Sequence, residues 1–110
     1  MFNSELKRGS LELLILSVLD GPSRHGYEIG KLLEDRSGGQ LVFPVSSLYS
    51  ILYRMEDRDW IKGRWVEKPG VRKRCTYTLT SKGKKVLAAQ QKEWTAFTGV
   101  VNQVIGLSHA

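Results

Sequence analysis

Few residues in this 110-residue chain can do covalent chemistry. The histidines are His25 and His109, and the only cysteine is Cys75. With one cysteine and no paired His or carboxylate motif, no zinc site is expected. There is no G-x-G-x-x-G string and no Walker loop, and no cofactor is expected. Asp57 and Asp59 are neighbouring acids at a helix end and read as solvated. The residues with a collective chemistry are cations. Lys62, Arg64, Lys68, Arg72, Lys73 and Arg74 face one acid, Glu67, within a single short segment, while the rest of the chain is nearly balanced. The formal net charge is +6, so this segment carries most of it. A dense local cation patch attracts a polyanion, either nucleic acid or an anionic membrane.

A second group stands just upstream. Ser46, Ser47, Tyr49, Ser50, Tyr53 and Arg54 share a segment with Leu48, Ile51, Leu52 and Met55. The apolar four follow the i, i+3, i+4, i+7 rule of a helix face. The opposite face is then short, rich in hydroxyls and nearly free of acid until Asp57. An ordinary solvated face usually shows Glu and Lys pairs instead. A helix with such a face fits the major groove, where base edges differ. Its free N-terminal N–H groups favour a phosphate.

Four helices and a hairpin must position these residues. The first helix is expected from Ser10 as N-cap through Leu19, apolar on nearly every side and therefore central. Asp20-Gly21-Pro22 stops it. The second begins around Ser23 and ends near Ser37-Gly38-Gly39, with Ile29, Leu32 and Leu33 inward. Gly26 and Gly30 each cost roughly 0.5–1 kcal/mol inside a helix. Close approach of a neighbouring backbone would offset that, unless Gly26 merely lies in the first turn. The third helix follows Pro44, with Ser46 or its neighbour as cap. Strands Ile61 to Glu67 and Arg72 to Leu79 flank Lys68-Pro69-Gly70-Val71, where Pro then Gly suits a type II turn. The last helix starts at Thr80 or Ser81 and ends near Gly106. Leu87, Trp94 and Val101 form one seven-residue row, and Gln90, Phe97 and Val104 the other, a coiled-coil-like seam. Lys82, Lys84 and Lys85 crowd its start, where cations oppose the helix dipole and a polyanion would offset them.

Three helices and then a basic hairpin is the order of a winged helix-turn-helix. The fold class expected is mainly α with a β-hairpin wing: a DNA-binding domain over residues 1–80 and a dimerisation helix with its tail over 81–110. Double-stranded DNA is the expected partner. A lone cysteine favours a reducing compartment. The apolar stretch from Leu11 to Leu19 is too short for a membrane span or a signal peptide, so no membrane partner and a cytoplasmic location are expected. The alternatives are a winged-helix protein–protein module, an anionic-membrane binder and an RNA binder. The membrane reading needs a basic amphipathic helix, whereas the charge sits on a hairpin. RNA binding lacks an aromatic sheet platform.

Particular strings carry a resemblance. Gly9-Ser10-Leu11 with Leu14-Ile15-Leu16, His25-Gly26-Tyr27-Glu28-Ile29, Ser47-Leu48-Tyr49 with Leu52, Arg54 and Glu56, and Tyr77, Leu79-Thr80 and Gly83 stand in order. Over about residues 5–106 the chain resembles the PadR family of bacterial transcriptional regulators, in the short form with one C-terminal helix. The resemblance implies a homodimer, usually a repressor, on an inverted-repeat operator. It implies DNA contacts from Tyr27, Ser46, Ser47, Tyr49, Ser50, Tyr53, Arg54, Arg72, Lys73 and Arg74, and dimerisation through Leu87, Trp94, Phe97, Val101 and Val104. Some members bind flat aromatic effectors between subunits, and Trp94 is the matching position. Two departures stand out. Asp59-Trp60 replaces a usual Gly-Leu, where Asp tolerates the left-handed turn better than most residues. Cys75-Thr76 replaces a more usual basic-aromatic pair.

Overall fold

A computed structural model describes residues 2–67, 69–70 and 74–107. Four helices and three strands follow the order α1 (Ser4–Val18), β1 (Arg24–His25), α2 (Gly26–Arg36), α3 (Val45–Asp57), β2 (Ile61–Val66), β3 (Arg74–Leu79) and α4 (Ser81–Val104). This is a winged helix-turn-helix with one long C-terminal helix, the architecture the sequence predicts.

The central helix is α1. Its Leu11, Ile15, Leu16 and Val18 are buried, together with Leu19 just beyond. It starts about two turns earlier than the Ser10 expected. Asn3 is the cap, its Oδ1 accepting from the Glu5 N–H at 2.7 Å. Ser10 lies inside the helix, and its hydroxyl donates back to the carbonyls of Leu6 and Lys7. The first two turns lack an apolar stripe, so hydrophobic periodicity could not reveal them.

The second helix, by contrast, begins later than expected. Arg24 and His25 form a short strand instead, pairing antiparallel with Tyr77 and Thr76 of β3. The sheet therefore has three strands, in the order β1-β3-β2. Glu28 accepts from the His25 N–H at 3.0 Å, which starts α2 at Gly26. The third helix is capped by Pro44 rather than Ser46, with no side-chain cap. Its stripe of Leu48, Ile51, Leu52 and Met55 is buried, as the spacing requires.

Both helical glycines answer to side chains of α3 rather than to backbone. A Cβ on Gly26 would meet the Tyr49 ring, and one on Gly30 would lie 2.9 Å from Leu48 Cδ1. Asp59 takes φ +62°, so Asp supplies the left-handed stop after α3. Gly70 has φ +72°, the sign a type II turn needs at its second central residue.

The joint between α3, the hairpin and α4 is tightly bonded. The Thr80 hydroxyl donates to the carbonyl of Asp59 at 2.6 Å and accepts from the Gly83 N–H at 2.9 Å. The Trp60 carbonyl sits where a Cβ on residue 83 would be, so only Gly lets α4 start there. Arg58 closes the other side, bonding Glu12 of α1 at 3.1 Å with its guanidinium over the Trp60 ring. These contacts fix the hairpin relative to α3.

Candidate nucleic-acid interface

One face of α3 packs inward and the other meets solvent. Ser46, Ser50, Tyr53 and Arg54 are exposed, Ser47 and Tyr49 half-buried. Tyr53 keeps 58% of its surface. The Tyr49 and Tyr53 rings lie 6.2 Å apart and tilted. Ser47 and Leu48 both donate to the Pro44 carbonyl, at 3.0 and 3.2 Å. The first N–H groups of a helix have no partner within it, which suits them to a ligand.

The flank of α3 next to the hairpin is aromatic. A hollow there is lined by Tyr27 from α2, Tyr49 and Tyr53 from α3, and Trp65, Arg74 and Tyr77 from the sheet. Tyr27, 74% exposed, stands at its rim. Tyr77 forms its floor and is buried. That burial raises the Tyr77 phenol above the ordinary tyrosine range, with the Cys75 thiol and Glu56 adding to the shift. The floor is therefore a neutral hydroxyl at any physiological pH. Space beside it is tight: a Cβ on Gly63 would lie 2.9 Å from Glu56 Oε2, 3.0 Å from Cys75 Sγ and 3.1 Å from Tyr77 Cε1.

Two acids near this surface are already engaged. Glu28 lies 3.9 Å from the Arg24 guanidinium and 3.8 Å from His25 Nε2. Glu56 accepts from the Gly63 N–H at 3.3 Å. Arg74 is exposed at the start of β3, as are Lys62 and Arg64 on β2. Arg72 and Lys73, the other wing cations expected to bind, lie outside the described residues, as does Lys68.

Sequence reasoning passed over Trp65. It is 64% exposed on β2 and lines the same hollow. Its place there follows from the register Trp65↔Cys75, which no local pattern announces.

The C-terminal helix divides at its middle. Leu87 is 4% exposed and belongs to the core of its own protomer, so it is not available to a dimer seam as expected. Trp94, Phe97 and Val104 are exposed and Val101 is half-buried. Trp94 and Phe97 border a cleft against Gly9, Ser10 and Leu13 of α1. Lys82, Lys84 and Lys85 are exposed at the start of the helix.

The geometry defines a winged helix-turn-helix protein with a recognition-type helix beside a cationic hairpin. The sequence profile of the transcriptional regulator PadR-like family matches residues 15–89, and the chain belongs to that family. Its members are transcriptional regulators rather than enzymes. An uncharacterized protein of Lysinibacillus sphaericus is 28% identical over 102 residues, covering 93% of this chain and 94% of its own. A transcriptional regulator from Clostridium thermocellum superposes with a TM-score of 0.86 at 29% identity, over 94% of this chain and 97% of that one. Bacillus subtilis PadR, solved in complex with operator DNA, superposes at 0.67 and 26% identity, over 74% of this chain and 46% of that longer one. No helix among the described residues is long and apolar enough to cross a membrane.

Proposed function

We propose that this chain is a cytoplasmic, homodimeric repressor that binds an inverted-repeat operator in double-stranded DNA. Residues 1–80 form the DNA-binding unit and 81–110 the dimerisation helix and tail. The observation that carries the reading is the split character of α3, buried along Leu48, Ile51, Leu52 and Met55 while Ser46, Ser50, Tyr53 and Arg54 face out. A helix about 10–12 Å across fits the major groove. Ser50 and Arg54 read base edges there. Tyr27, Ser46, Ser47, Tyr49 and Tyr53 hold phosphates, which position without specifying. Arg72, Lys73 and Arg74 hold the neighbouring backbone. That the Bacillus subtilis relative was solved on operator DNA supports DNA as the partner.

The distal half of α4 supports dimerisation. Phe97 is 62% exposed and Val104 82%, an apolar face its own domain leaves uncovered. A second copy of the helix would bury it. The cleft beside Trp94 then lies at the subunit junction, where a flat aromatic effector stacks on the indole and releases the operator.

The test is a gel shift with genomic fragments at low salt, followed by selection of bound sequences. A retarded band enriched in an inverted repeat supports the reading. No shift at low salt overturns it in favour of a winged-helix module that docks on an acidic protein.

A further inference from the structure

The flank of α3 turned away from the wing faces a second cleft, formed with the first turns of α1. One wall carries Lys7 and Arg8. The other carries Ser47, Ser50 and Arg54, and Phe43 closes the floor. The cleft is lined by three cations and no acid. Among the described residues none of the three takes part in an ion pair. The acids of α1 are Glu5, exposed in its first turn and in no ion pair with these cations, and Glu12, which is occupied by Arg58. The Lys7 ammonium lies 5.8 Å over the Phe43 ring, which holds it at the cleft rather than free in solvent.

Uncompensated like charges gathered around one cleft repel one another. A chain of phosphates would remove that cost. The dimensions allow it: the major groove is about 12 Å wide, close to the width of α3 with its side chains. A helix filling the groove brings both bordering backbones within reach of whatever packs on its two flanks. The wing takes one flank and α1 takes the other.

Resting on the reading of α3 as the groove helix, we propose that Lys7 and Arg8 of α1 form a second phosphate grip, which holds the DNA backbone on the side opposite the wing. The grip carries no sequence information. It clamps α3 from both sides and sets its depth and tilt in the groove.

The experiment compares wild type, Arg8→Gln, the double variant Lys7→Gln/Arg8→Gln, the wing variant Arg74→Gln, and Lys92→Gln, exposed on α4, as a single-charge control. Each is titrated with the selected operator and with an unrelated duplex from 50 to 200 mM salt. The grip predicts that the double variant loses about tenfold or more in affinity for both duplexes, with unchanged ratio between them. The slope of log K against log salt falls by about 0.9 for each phosphate set free per half-site. Lys92→Gln stays at wild type. Thermal unfolding is followed in parallel; if removing the Lys7 ammonium from the Phe43 ring lowers stability, the exposed Arg8→Gln alone decides. Wild-type affinity and slope in Arg8→Gln and the double variant, with a loss in Arg74→Gln, overturns the grip while the DNA reading stands. No binding of either duplex by wild type overturns both.

Discussion

The Tyr49 ring occupies the place where residue 26 would carry its Cβ, 2.6 Å from the ring Cζ. The turn that opens α2 and the exposed flank of α3 are thereby locked together. Gly26→Ala should displace Tyr49 toward solvent and destabilise the fold by about 1–3 kcal/mol, the usual cost of overpacking. Urea unfolding measures it. Adding Tyr49→Ala should return part of the loss, because the clash is pairwise. Additive single effects would contradict the contact.

Reading of base edges is assigned to the exposed Ser50 and Arg54. Substituting either with Ala should shift preference at particular operator positions by roughly 1–3 kcal/mol. Competition among single-base operator variants measures it. Uniform weakening across all variants would instead make these phosphate contacts.

The wing should behave in the opposite way. Arg74→Ala, and Arg72→Ala with Lys73→Ala, should weaken every duplex alike and lower the salt slope by about 0.9 for each phosphate contact removed. A change in base preference from the wing, with none from α3, would reverse the roles.

Thr80 joins two elements with one hydroxyl, donating to the Asp59 carbonyl and capping α4 through the Gly83 N–H. Thr80→Val removes both bonds and should cost about 1–2 kcal/mol. Since the same joint sets the hairpin against α3, operator affinity should fall as well. A stable variant with full affinity would show that packing of Gly83 on Trp60 suffices.

Tyr77 gives a pH signature. Burial, with Cys75 and Glu56, raises its phenol in the folded state, against about 10 in an unfolded chain. Below that value both states hold the proton and the contribution is constant. Above it the unfolded chain releases the proton first, so stability falls as pH rises beyond about 10. Urea midpoints between pH 9 and 11 should drop more steeply for wild type than for Tyr77→Phe. Equal slopes would contradict the raised phenol.

Periodicity made α3 legible from its sequence, since Leu48, Ile51, Leu52 and Met55 repeat at helical spacing and are buried. The same logic failed for the first turns of α1, where Leu6 is exposed and nothing apolar repeats. A two-residue strand such as Arg24–His25 has no period to read. Leu87 and Trp94 occupy one heptad row and look alike in sequence. Only the length of α4 beyond the body separates them, leaving the first in the core and the second at the surface. The α1 cations were likewise hidden, because Lys7 and Arg8 share a cleft with Arg54 that only the folded chain brings together.

Two copies engaging one duplex is the claim on which the functional reading stands. It is tested most directly by the distance between paired spin labels at the exposed C-terminal end of α3, introduced as Asp57→Cys in a Cys75→Ser background, in the presence of operator. The account predicts a sharp distribution centred near one helical turn, about 34 Å. No dipolar coupling, or a separation that fits no whole number of turns, would contradict it.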